Sequence, residues 1–146
     1  MFDKLDKYKQ NGHFFLTPGD QLDKVCNAPD KQAGVFLVYA LKNGRIELVY
    51  IGGTGEINEK KLISIQNTGI GGLRDEMVNG VEFSSDIPRK ISWLSQMEKE
   101  NIEALDIYWY ITYNDKHSDS PEKVENMLFE THYGIFQRIP SWNFEL

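Results

Sequence analysis

Residues 34–55 read GVFLVYALKNGRIELVYIGGTG. Two runs rich in β-branched and aromatic side chains, GVFLVYAL and RIELVYI, flank Lys42-Asn43-Gly44, and Asn-Gly between such runs is a strong short-range signal for a β-hairpin. Its register decides which side chains meet, because a slip of one residue carries a whole strand's side chains to the other face. A two-residue Asn43-Gly44 loop would set Phe36 opposite Ile51 and away from Tyr50. A three-residue Lys42-Asn43-Gly44 loop, with Gly44 left-handed in a bulge, sets Phe36 opposite Tyr50, and this is the register we expect.

Upstream, residues 2–10 suit a short polar helix, and Thr17-Pro18 reads as an N-cap followed by proline at the first helical position. Downstream, the glycines and polar residues from Gly52 to Gly72 argue against a continuous element, with room for a short strand at Lys61–Ile65. Leu73–Val78 then starts a helix. Pro88 heads another, PRKISWLSQMEKEN, whose apolar stripe is Ile91, Leu94 and Met97. The run ALDIYWYITY, Ala104–Tyr113, suits a central strand with Leu105, Ile107, Trp109 and Ile111 on one face and Tyr108 and Tyr110 on the other. A last helix starts at Ser120-Pro121, carries Val124, Met127, Leu128, Thr131 and Ile135 at helical spacing, and stops before Pro140. The element order implies a small α/β, or α+β, domain on a mixed or antiparallel three-stranded sheet, with residues 1–33 as a lead-in packed on a domain of residues 34–146.

The 146 residues are enough for one core, and no apolar run approaches the roughly 18 residues of a membrane span. The N-terminal stretch lacks an uninterrupted apolar segment of the secretory kind, so a cytoplasmic protein is expected. One cysteine, Cys26, excludes an intrachain disulfide and a cysteine zinc cluster. A net charge of −6 gives no general attraction to polyanions, leaving Lys60-Lys61 and Arg89-Lys90 as local basic clusters. His13, His117 and His132 share no ligand spacing. The glycines after Ile51 precede neither Gly-Lys-Ser/Thr nor an immediate helix, so they do not make a phosphate loop.

Gly34-Val35-Phe36, then Tyr50-Ile51-Gly52 across a hairpin, then a helix after a loop, and finally Glu125 and Glu130 followed by Pro140 and Asn143, resemble the GIY-YIG nuclease superfamily. The late part is similar to the nuclease domain of bacterial excision-repair endonucleases. The resemblance covers Gly34 to Asn143. It implies a DNA endonuclease dependent on one divalent cation, Mg²⁺ or Mn²⁺. In it Glu130 would be the metal ligand, Tyr50 would position or deprotonate the attacking water, and an arginine of the first helix, here Arg74, would hold the phosphate. Phe36, Gly52 and Asn143 would support the site.

Two departures stand against full activity. The first motif ends in Phe36, which lacks the phenolic OH that the family's tyrosine supplies. Aligned by Leu73, the family's arginine position holds Glu76, with Arg74 about 200° away around the helix, so Lys60, Lys61 or Arg89 would have to stand in. The alternative is therefore a catalytically degenerate domain that uses the same fold to bind protein or nucleic acid.

Overall fold

The computed structural model describes residues 1–55 and 71–143; Lys60, Lys61 and the strand expected at 61–65 lie outside them. A 3₁₀ turn, Asp3–Lys7, is followed by β1 (Asn11–Leu16), α1 (Leu22–Val25), β2 (Ala33–Lys42) and β3 (Arg45–Gly53). After these come α2 (Leu73–Asn79), α3 (Arg89–Glu100), β4 (Ala104–Tyr113) and α4 (Pro121–Phe136). The strands form one four-stranded sheet in the order β1-β4-β2-β3, with every neighbouring pair antiparallel, so the class is α+β.

The sheet has one strand more than the three expected. The extra strand, β1, comes from the lead-in, between the two stretches read above as helical, residues 2–10 and those from Thr17 on, which are helical over Asp3–Lys7 and Leu22–Val25. Phe14 and Leu16 of β1 point into the core while His13 and Phe15 do not. Gly12 lies under the Trp109 indole, where an added Cβ would come 2.7 Å from a ring carbon. Thr17 caps no helix: its backbone N–H and its hydroxyl both donate to the Asp20 carboxylate, at 2.9 and 2.8 Å, and close a turn ahead of α1. Residues 11–16 of the lead-in thus extend the sheet itself.

The hairpin forms with a different turn from the one expected. Lys42 pairs with Arg45, and Asn43 and Gly44 both have positive φ, 53° and 73°. This is the two-residue turn whose twist matches the strands. Phe36 faces Gly52, not Tyr50. The two rings still share a face because Val38 pairs with Tyr50 and Tyr39 with Leu48, leaving Val49 as an extra residue. That bulge supplies the one-residue offset that would otherwise need a longer loop.

Two cores lie on the two faces of the sheet. Phe36, Val38, Leu105, Ile107, Trp109 and Ile111 pack with Leu73 and Met77 of α2 and with Trp93 and Met97 of α3. Val35, Leu37, Leu48 and Ile51 pack under Val124 and Leu128 of α4, with Leu5 and Tyr8 beside them. In α3 the buried row is Arg89, Trp93 and Met97, at steps of four, and Ile91 is 57% exposed. In α4 His132 is buried and Ile135 is exposed.

The C-terminal segment closes the free edge of β3. Trp142 N–H donates to the Val49 carbonyl at 2.8 Å. The Asn143 side chain accepts from Ile51 N–H and donates to its carbonyl, at 2.8 and 2.9 Å. One amide side chain thereby stands in for a neighbouring strand and protects an edge open to pairing. Among the described residues no helix is long and apolar enough to cross a membrane.

Candidate active site at the hairpin end

Gly52 is where the Tyr50 and Phe36 rings fold over the strand: a Cβ there would meet Tyr50 Cε2 at 2.5 Å and Phe36 Cζ at 2.7 Å. The glycine of the Tyr-Ile-Gly stretch is therefore required by close ring approach rather than by its own backbone angles. The two ring centroids lie 5.8 Å apart. Arg89, at the first turn of α3, lays its guanidinium over both rings, 5.5 and 5.4 Å from the centroids, a favourable cation–π arrangement.

The Arg89 side chain is only 4% exposed and its N–H groups are bound on several sides. Nη2 donates to the Tyr50 hydroxyl at 2.9 Å, Nε to the Glu82 carboxylate at 3.1 Å, and Nη1 to the Glu76 carbonyl at 2.5 Å. The Glu76 carboxylate stands 3.5 Å from Nη1. Trp93 Nε1–H donates to the same Glu82 oxygen at 3.0 Å. The result is a tyrosine–arginine–glutamate–tryptophan network between the sheet, α2 and α3, closed around Arg89 and Glu82 and with Tyr50 partly exposed at its rim. Its second Glu82 oxygen, Oε2, is buried and has no hydrogen-bond partner among the described residues.

Burial sets the protonation states. It pushes the Tyr50 phenol up by more than Arg89 pulls it down, so Tyr50 is neutral at physiological pH. Burial likewise pushes the Glu82 carboxyl up against the pull of Arg89 and Trp93. For Arg89 burial opposes the charge, and Tyr50, Glu82 and Glu76 together outweigh it. A neutral Tyr50 that accepts from a cation is a polarised donor, suited to orienting an oxygen rather than to removing a proton.

The second carboxylate at this end comes from α4. Glu125 packs its Oε1 against Gly53, where a Cβ would collide with it and with the Gly34 carbonyl. Gly52 and Gly53 leave the edge strand without side chains between Tyr50 on one face and Glu125 on the other, and the Glu125 charge raises the Tyr50 phenol. Thr54 N–H donates to the Gly34 carbonyl at 3.0 Å, which fixes the strand exit beside this carboxylate.

The residues implied by the resemblance do not all gather here. Arg74 Nη1 donates to the Cys26 carbonyl at 2.9 Å and Nη2 to the Asp23 carbonyl at 2.5 Å, so its guanidinium serves the C-terminal end of α1. Glu130 is exposed, about 1.4 turns of helix beyond Glu125. Tyr50, Arg74 and Glu130 therefore share no contact. Phe36 is fully buried against Trp93, at 6.2 Å between centroids. Asn143 braces Ile51, the residue after Tyr50.

Arg89 is legible in the sequence as one of several stand-in cations. Glu82 and the indole of Trp93 are not, because nothing in VEFSS marks a buried carboxylate; the step of four from Arg89 to Trp93 is the one available hint. Cys26 is buried against Met77, 3.8 Å between sulfurs, with burial pushing its thiol up. The three histidines are dispersed over the pairs His13–Asp106, His117–Tyr8 and His132–Phe136. Compared with family models, curated proteins and solved structures, the chain gives no match.

Proposed function

We propose that the chain is a divalent-metal-dependent DNA endonuclease of the GIY-YIG type, with low turnover. The observation that carries this reading is the placement of Tyr50, bound by Arg89 at 2.9 Å, beside Gly52 and of the Glu125 carboxylate against Gly53 at the exit of β3. Tyr50 orients the attacking water or a phosphate oxygen through its own O–H. Arg89 takes the place of the displaced family arginine by holding and polarising Tyr50. Being buried, it acts through that tyrosine and not by clamping phosphate.

Among the described residues no three His, Cys, Asp or Glu side chains form a metal cage. The donor set fits a cation held by one carboxylate, with water and substrate phosphate oxygens completing its sphere, the mode Mg²⁺ favours. The resemblance assigns that role to Glu130; the packing of Glu125 against Gly53, next to Gly52 and the Tyr50 ring, favours Glu125, and we assign it there. When bound, the cation would offset charge developing on the phosphate.

The test is incubation of the protein with supercoiled plasmid and with single-stranded DNA in Mg²⁺ and in Mn²⁺, beside metal-free controls. The expected result is slow, metal-dependent nicking that Tyr50→Phe lowers by about 10²-fold, the size of one lost positioned donor. A second reading, a degenerate module that binds DNA or protein, is favoured by Phe36 and by the burial of Arg89. DNA binding without nicking in any metal would select it.

A further inference from the structure

The opposite face of the sheet is incompletely covered. Asp106 on β4 has Phe15 of β1 on one side and Tyr39 of β2 on the other. Tyr108 lies two residues along the same face, and Ala104 two residues back, with Leu41 across from it. These side chains line a groove of about 310 Å³. Phe15, 57% exposed, keeps it open to solvent.

The walls are ordered. Tyr39 and Tyr108 stand at 82° with centroids 5.7 Å apart, making a corner of two ring faces. His13 stacks on Tyr108 at 4.7 Å and 7°. Its Nδ1 lies 2.8 Å from Asp106 Oδ1, so one imidazole fixes both the ring and the carboxylate. Among the described residues that line the groove, Asp106 is the only one with a charged side chain. Small Ala104 leaves the space beside it unfilled.

We propose that this groove binds a small organic cation, a quaternary alkylammonium compound of the choline type. Aromatic faces carry negative potential, and a carboxylate on the floor adds a full charge. An alkylated ammonium is larger and less strongly hydrated than a primary amine, and it offers methyl groups to the rings and to Leu41. A phosphate or carboxylate ligand would be repelled by Asp106. The environment also disfavours added negative charge at the walls: the Tyr39 phenol is pushed up to about 12, by burial first and then by Tyr110, Tyr108 and Asp106.

The experiment titrates the full chain with choline and, separately, with its neutral carbon isostere, in which tert-butyl replaces the trimethylammonium group. Proton–nitrogen NMR spectra follow residues 13–15, 39 and 104–110. The expected result is saturable choline binding at those positions, about tenfold tighter than the isostere and weakened about tenfold by Asp106→Asn, the scale of one cation–π and charge contribution. Tyr108→Leu, with circular dichroism to verify folding, lowers choline binding while Arg74→Ala leaves it unchanged. Equal binding of the isostere would overturn the proposal by showing only an apolar groove. Absence of choline binding at millimolar concentrations, or shifts that track protein concentration because a second copy covers the face, would overturn it equally.

Discussion

The two faces of the sheet carry similar chemistry to different ends. On one, Tyr50, Arg89 and Glu82 form a tyrosine–cation–carboxylate network with both charged side chains 3–4% exposed. On the other, Tyr108, His13 and Asp106 form a comparable trio, with His13 45% and Asp106 24% exposed. The difference lies in coverage: α2 and α3 close over Arg89 and Glu82 and leave Tyr50 partly exposed, whereas α4 and the N-terminal turn leave part of the second trio open. Burial makes each lost partner costly, and exposure leaves a group able to meet a ligand.

The largest expected effect tests the covered side. Arg89→Ala leaves Glu82 buried without its cation and should lower unfolding free energy by about 3–5 kcal/mol, read from chemical denaturation. Arg89→Met combined with Glu82→Leu should cost less than Arg89→Ala alone, because no lone charge remains. A double variant as unstable as the single one would break the assignment of the network as a coupled pair.

A smaller loss is expected at the tyrosine. Tyr50→Phe removes the acceptor of Arg89 Nη2 and should cost about 1–3 kcal/mol, the range for a buried donor left unmatched. Loss of a partner on the open side should be mild: Asp106→Asn, which alters an exposed contact with His13, should change stability by less than about 1 kcal/mol. If thermal or chemical unfolding ranks Asp106→Asn above Tyr50→Phe, the contrast between the faces fails.

The gentlest probe is pH. The Tyr8 hydroxyl, 2.6 Å from Asp119 Oδ2, and then Lys7 hold the Asp119 carboxyl below its usual range, burial notwithstanding. A carboxyl depressed in the folded state contributes stability that is present above its unfolded pKa of about 3.9 and is lost as pH falls through the folded value. Tyr8→Phe should therefore reduce stability near neutral pH and flatten its decline in acid, seen as melting temperature against pH. An unchanged acid limb would remove Asp119 from the set of linked groups.

Much of the frame is visible in the sequence. The strand Ala104–Tyr113 and a hairpin turning near Lys42-Asn43-Gly44 follow from β-branched and aromatic runs with a turn between them, whereas the turn's two-residue length does not. The bulge at Val49 is invisible because Val49 looks like any strand valine; pairing with Trp142 and the ladder shift appear only in the assembled sheet. β1 is hidden because NGHFFL mixes outward aromatic residues with inward ones and so shows little alternation of polarity. Ile91 misleads for the opposite reason, since hydrophobicity alone places it inward, while the buried row of α3 runs through Arg89.

At the candidate site, Tyr50 and Gly52 are legible from their motif and Arg89 from its charge. Glu125 stands in the quoted pattern, but its advantage over Glu130 depends on which side of α4 meets the glycine-rich strand exit. That orientation is set by packing of Val124 and Leu128 against β2 and β3 and cannot be counted from spacing alone.

The most direct measurement compares plasmid nicking by the parent chain, Glu125→Gln, Glu130→Gln and Arg74→Ala in Mn²⁺, with each variant first shown to be folded. The expected result is nicking by the parent that Glu125→Gln abolishes, while Glu130→Gln and Arg74→Ala retain most of it. Loss with Glu130→Gln and retention with Glu125→Gln would contradict the site described here, and no nicking by the parent in Mg²⁺ or Mn²⁺ would contradict the nuclease reading itself.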